Sequence, residues 1–216
     1  MDKDKLTKLI EKSQEQVTDE PRDYIGASII GSDCLRQIWY EFKGEEAQGV
    51  PAKFRRTWAI GKRLEGLIIE WLINAGIKVL TFDVTYKSGT VSEFRGHIDA
   101  LVEINKKNYI LEIKTAKNAS FNIFVKKGVK IWNLQYYAQV QSYMGMSGIH
   151  STYILVLNKD NSDLSDELVT FDPDYYERLE TKAAMIESAT IEPPRINGSP
   201  LFFKCKMCKF NKVCHQ

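Results

Sequence analysis

The chain lacks any apolar run near the ~20 residues that cross a bilayer, and its opening MDKDKLTKLIEKSQEQ has no apolar core of the kind a signal peptide needs. A cytoplasmic protein of a bacterial, archaeal or phage-infected cell, with no membrane partner, is expected. It also lacks a charge excess: 30 basic against 28 acidic residues leave +2, too little to mark a nucleic-acid binder, so any basic surface is local. Internal repeats and low-complexity linkers are absent, and 216 residues, 44% of them apolar, suffice for one sizeable core and not two. Cysteine is scarce. Four in an intracellular chain exclude a disulfide framework and point to metal or redox chemistry.

Periodic segments account for most of the rest. Helices are expected over 4–17, 26–42, 57–75, 130–146 and 173–189, the last opening with a proline in its first turn. The 57–75 helix carries Leu64, Leu67, Ile68, Trp71, Leu72 and Ala75 on one stripe and stops at Gly76. Strands are expected over 77–86 and 152–159 and in a hairpin over 95–117 that turns at NKKN, while the tail from 199 reads as irregular. Alternating helices and strands imply an α/β (mixed α+β) domain, a central mixed β-sheet flanked by helices.

The hairpin keeps charge where a strand should pack. Side chains two apart share a face, so Arg95, His97 and Asp99 point together, with Ile98 and Ala100 opposite; Glu112 and Lys114 project together away from Leu111 and Ile113. Pairing of the arms brings Asp99 and Glu112 to one end. Two carboxylates there repel unless a cation separates them, and an all-oxygen donor set suits Mg²⁺ or Mn²⁺. The carbonyl of Ile113 would add a ligand, and Lys114 would orient or activate a water. A merely solvent-facing charged strand produces the same letters.

Acid, hairpin, then acid-x-Lys resembles the PD-(D/E)XK nuclease superfamily, with its restriction-endonuclease-like core; the proline of that name is replaced here by GHID, a variant similar to phage-type and RecB-type exonucleases. The resemblance extends over about 26–214. Glu65, at the edge of an apolar stripe, is similar to the helix acid that precedes the triad, although a glutamate at a solvated boundary is the plainer alternative. Gln139 and Tyr143, four apart and so on one helical face that Gln135 extends, resemble the glutamine/tyrosine helix that follows it. Glu65, in a place that is often histidine, and His97 shift the likeness towards lambda-type exonucleases. The resemblance implies catalytic roles for Asp99, Glu112, Lys114, Gln139, Glu65, Tyr143 and His97, with metal at Asp99, Glu112, the Ile113 carbonyl and Glu65.

Cys205, Cys208 and Cys214 form a C-x₂-C-x₅-C cluster far from Cys34. The set resembles the iron-sulfur staple of RecB-family and CRISPR-associated adaptation nucleases, implying a 4Fe-4S cluster on these four cysteines and a cysteine-ligated subregion, 26–45 with 199–216, within a single 1–216 nuclease domain. Zinc on Cys205, Cys208, Cys214 and His215 is the rival. Such a staple closes nearly the whole chain, restricting the unfolded state by on the order of 5 kcal/mol. Lys126, Lys127, Lys130, Arg55, Arg56, Lys62 and Arg63 are candidate DNA-phosphate contacts, although solvated charges on a helix are the more common reading; Trp58 and Phe121 are candidate base-stacking residues, which core packing explains equally well. The expected function is a metal-dependent exonuclease acting at DNA ends in phage or prokaryotic recombination or repair. A CRISPR spacer-processing nuclease and a non-catalytic DNA-binding or assembly module are the alternatives. DNA, a second copy of the chain and recombination proteins are the implied partners.

Overall fold

The computed structural model describes residues 4–15 and 22–216. Its centre is one mixed sheet of six strands: β1 (Ile25–Gly26), β2 (Lys78–Lys87), β3 (Phe94–Ile104), β4 (Lys107–Ala116), β5 (Ser151–Asn158) and β6 (Leu164–Thr170). The order is β1-β3-β4-β5-β6, with β2 antiparallel to β3 along its other edge. The β1–β3 and β4–β5 pairs are parallel and the remaining ones antiparallel. The mixed sheet flanked by helices is the architecture that the alternating pattern implies.

Helices cover both faces. On one, α4 (Ala52–Asn74) sets Ile68, Leu64 and Leu72 against Ala100, Val102, Leu111, Ile113 and Leu157. On the other lie α2 (Ala27–Ile30), α3 (Leu35–Lys43), α5 (Asn118–Trp132), α6 (Leu134–Ser147) and α7 (Pro173–Ser188), around a larger core that includes Phe94, Ile98, Val140, Tyr143 and Ile154. The first helix, α1 (Lys5–Glu15), leans on α4 through Arg56, which reaches Gln14 and Glu11. Residues 16–17 of the expected 4–17 helix lie outside the described residues.

Local chemistry explains most boundaries. Ile104 pairs directly with Lys107, so the hairpin closes on Asn105 and Lys106 alone, both left-handed (φ 52 and 63), the backbone of a type I′ turn. Asp172 accepts the Tyr175 N–H ahead of Pro173 and starts α7.

Elsewhere the sequence expectation is corrected. The 26–42 segment is not one helix: β1 and α2 precede a turn in which Ser32 Oγ accepts the Cys34 N–H, and only then does α3 begin. The expected 130–146 helix is two, because Asn133 stops α5 and its side chain caps α6 by accepting from Gln135 N and Tyr136 N. Most of α5 and all of β6 were not expected. Gly128 kinks α5 with φ 70, and beyond the kink the Val129 N–H, freed from the helix, donates to a Glu167 carboxylate from β6. On α4 the stripe is only half covered: Leu67 and Trp71 remain 38% and 40% exposed and Ala75 is the cap residue. The tail contains two short helices, α8 (Phe203–Lys206) and α9 (Asn211–Cys214).

Candidate active site

Pairing of β3 with β4 runs from Ile104–Lys107 to Ala100–Leu111 and ends there. The next residue on each arm is Asp99 and Glu112. Beyond this point β4 stays with β5 and β3 with β2, so the arms part where the two carboxylates stand. One bond stitches the gap: the Ile113 N–H donates to Asp99 Oδ2 at 2.7 Å. The simple alternation expected of β3 fails at this position, because Ile98 packs in the larger core and Ala100 in the smaller one. Across from Asp99, between Phe82 and Val84, Asp83 takes φ 57, a left-handed conformation that aspartate and asparagine adopt more readily than most residues with a side chain.

Both carboxyls are pushed well above the ordinary range. Burial is the main cause for Asp99, followed by the charge of Glu112; the Ile113 N–H and Lys114 pull the other way, and the value stands at about 8. Burial likewise raises Glu112, opposed by Lys114, whose ammonium lies 2.5 Å from Oε1. Burial alone would lower Lys114, but the charge and hydrogen bond of Glu112 and the charge of Asp99 outweigh it and raise it. Glu112 Oε2 is buried and has no hydrogen-bond partner. An acceptor orphaned beside a second, half-buried carboxylate suits a hard divalent cation. Yet among the described residues no three His, Cys, Asp or Glu side chains form a ready metal cage. Each carboxylate is drawn instead to an internal partner: Glu112 to Lys114, Asp99 to the Ile113 amide, and Glu65 to Lys62 at 3.0 Å.

The helices close the site from both faces. Glu65, from α4, is near enough for its charge to raise both Asp99 and Glu112. From α6, Gln139 Nε2 donates to the Tyr143 hydroxyl at 2.5 Å, both side chains buried, and burial followed by the charge of Glu112 raises Tyr143. The four-residue spacing thus brings this pair together as expected. Gln135 does not extend it: its Nε2 donates to Ser28 O at 2.6 Å. Tyr143 is seated by Gly96, where a Cβ would lie 2.6 Å from its ring. Gly96→Ala is therefore expected to cost about 1–3 kcal/mol and to displace Tyr143 and Gln139, read out as a lower unfolding temperature.

Beside this pair opens a cavity of about 180 Å³ lined by Arg22, Tyr24, Ser28, Arg95, His97, Gln139 and Tyr143, among others. His97 is held by Tyr24 OH at 3.2 Å and Thr85 Oγ1 at 2.8 Å. The sequence reading missed Arg22, Tyr24 and Arg95 as site residues. Only Arg95 carried a signal, the strand period it shares with His97. Of the expected DNA contacts, Lys62, Arg63, Lys126, Lys127 and Lys130 are exposed, Lys130 with its ammonium over the Tyr137 and Tyr175 rings; Arg56 is tied to α1 and Arg55 is half-buried. Trp58 is 57% exposed, whereas Phe121 is core and cannot stack on a base.

The four cysteines are free thiols that line one cavity of about 590 Å³, with His215 and Gln135 also on its wall. Burial raises Cys205 and Cys208, and the charges of Cys34 and Cys214 add to the effect. Lys182 donates to Ile30 O and Ser32 O, fixing the loop that presents Cys34. The chain after α7 is anchored to α3: Arg36 and Tyr40 hold Glu192, Trp39 bonds Ala189 O, and Lys209 of the tail pairs with Glu41. The thiols share a cavity without three of them closing into a cage. His215 Nε2 is buried without a partner there, which keeps the zinc alternative open.

A family model described as the YqaJ-like viral recombinase domain matches residues 22–150, which include every active-site residue above and Cys34 but not the other three cysteines. No curated protein matches significantly. Among solved structures, an alkaline exonuclease (LHK-Exo) from Laribacter hongkongensis superposes with a TM-score of 0.59 at 16% identity, over 83% of this chain and 90% of that one. The protein SSO0001 gives 0.56 at 21%, over 97% and 93%. A phage-related exonuclease from Haemophilus somnus 129PT gives 0.53 at 13%, over 71% and 77%. At these identities the likeness establishes the fold.

Proposed function

The chain belongs to the YqaJ-like viral recombinase family, and from that premise we propose that it is a metal-dependent exonuclease hydrolysing phosphodiester bonds at DNA ends during phage or prokaryotic recombination. The observation that carries this reading is the pair of carboxyls at the point where β3 and β4 part, half-buried Asp99 and buried Glu112 with its orphaned oxygen, beside a largely enclosed ammonium. Asp99 and Glu112, with the Ile113 carbonyl and Glu65, would hold Mg²⁺ or Mn²⁺. When bound, such an ion would supply Lewis acidity and make a bound water more acidic than bulk water. Lys114 stands next to the carboxylates to orient the attacking water and offset charge building on the phosphate. Gln139, fixed by Tyr143, orients the scissile phosphate. The guanidiniums of Arg22 and Arg95 suit the phosphate of a terminal nucleotide in the adjoining cavity, with His97 on its wall. That cavity supports attack at an end over attack within a strand.

End-labelled linear DNA and closed circular DNA, each incubated with Mn²⁺ or EDTA, test the reading. Metal-dependent loss of the linear substrate alone supports it; tight binding without cleavage in any metal would establish a non-catalytic module instead.

The shared cavity of Cys34, Cys205, Cys208 and Cys214 supports a 4Fe-4S cluster as a structural staple between α3 and the tail. Cys205→Ser is expected to lower the unfolding temperature and solubility as well as activity. Anaerobically purified protein should be brown with a broad visible band; a colourless, zinc-containing sample or an unchanged melting curve for the variant counts against the staple.

A further inference from the structure

Two ammoniums serve the carboxylate cluster, and they are held very differently. Lys114 is enclosed, its side chain 18% exposed and its Nζ fixed on Glu112. Lys62 is 69% exposed on a flexible stem, one helical turn before Glu65, and its Nζ lies 3.0 Å from Glu65 Oε2. The hydrogen bond that Lys62 donates to Glu65 raises it most; burial opposes it, and the charges of Glu65, Asp99 and Asp83 add to the rise. The field also runs the other way, since Lys62 lowers Glu112. Asp83, beside Asp99 on the neighbouring strand, holds its left-handed backbone where its charge reaches this lysine.

We propose that Lys62 is a positioning residue that occupies the cation's place: it holds Glu65 while the site lacks metal and is expelled when a divalent ion arrives. The inference rests on the metal-dependent reading above. A cluster of carboxylates needs compensating positive charge at every stage. Lys114 supplies part of it permanently. Lys62 supplies the rest only until a doubly charged ion is present, because the two cations then repel and the exposed one is free to leave. Its departure releases Glu65 towards the ion. The ammonium swings to the outer side of α4, next to exposed Arg63, where it neutralises an incoming DNA phosphate. Asp83 steadies the lysine in the metal-free state.

Removing the lysine's charge therefore moves two affinities in opposite directions. Lys62→Met is expected to bind Mn²⁺ about threefold to tenfold more tightly, because its competitor is gone, and to bind an end-labelled duplex in Ca²⁺ about threefold more weakly. Lys62→Arg keeps both values near wild type. Asp83→Asn strengthens Mn²⁺ binding by no more than about twofold, since it only loosens the lysine. Mn²⁺ affinity is read from the electron paramagnetic resonance of the free ion, a measurement that does not depend on cleavage. Thermal unfolding in EDTA confirms that each variant is folded. Wild type that binds no Mn²⁺ overturns the nuclease reading and this inference with it. Wild type that binds Mn²⁺, with Lys62→Met binding it no more tightly, overturns the role of Lys62 alone; equal tightening in Lys62→Arg does so too, since charge would not be the cause.

Discussion

Asp99→Asn is expected to slow DNA cleavage by about a thousandfold or more while making the metal-free protein more stable at alkaline pH. The loss of activity follows from removing one of the three proposed carboxylate ligands, Asp99, Glu112 and Glu65. The gain in stability follows from the raised carboxyl. Its folded-state value, about 8, lies above the unfolded value near 4. A group raised in this sense contributes stability in full below the unfolded value and loses that contribution as pH climbs through the folded one, on the order of 5 kcal/mol at most. Asparagine never ionises, and its side-chain oxygen still accepts the Ile113 N–H. In EDTA the variant should melt close to wild type near pH 4 and progressively above it towards pH 9. Added Mn²⁺ should stabilise wild type far more than the variant, and most strongly above pH 8, where no proton need be displaced from Asp99. Melting temperatures that differ by a constant at every pH would show that Asp99 is not under this strain.

Lys114→Met acts in the opposite sense on stability. Glu112 is 2% exposed and, among the described residues, the lysine is its one ion-pair partner. Removing one member of a buried pair leaves an uncompensated charge, at a cost of about 3–5 kcal/mol. Glu112 escapes part of that cost by keeping its proton, which also disables it as a metal ligand, so both activity and stability fall. Adding Glu112→Gln removes the stranded charge and should restore most of the stability with none of the activity. Chemical denaturation of the single and double variants in EDTA measures this; a double variant no more stable than the single one would mean that the pair is not the source of the loss.

How much of this was legible beforehand depends on the range of the forces involved. The acid-x-Lys spacing placed Glu112 and Lys114 on one face of β4, and the four-residue spacing joined Gln139 to Tyr143. Both are consequences of fixed backbone periods. The residues lining the small basic cavity were largely missed, because Arg22 and Tyr24 lie outside any periodic segment and reach the site only through the parallel pairing of β1 with β3. The run of lysines likewise says nothing of where each one turns: the kink at Gly128 precedes Lys130, whose ammonium lies over two tyrosine rings while the residue stays exposed.

By itself, then, the amino-acid order determined the alternating α/β architecture, the hairpin, and which side chains share a strand or helix face, since these follow from geometry within a few residues. Tertiary structure decided where the hairpin arms separate, which lysine is enclosed and which is free, and that Asp99 rather than a solvated neighbour holds its proton to about pH 8. Those outcomes rest on desolvation and charge, which are set by whatever distant segments pack around a group, and no local pattern encodes that surrounding.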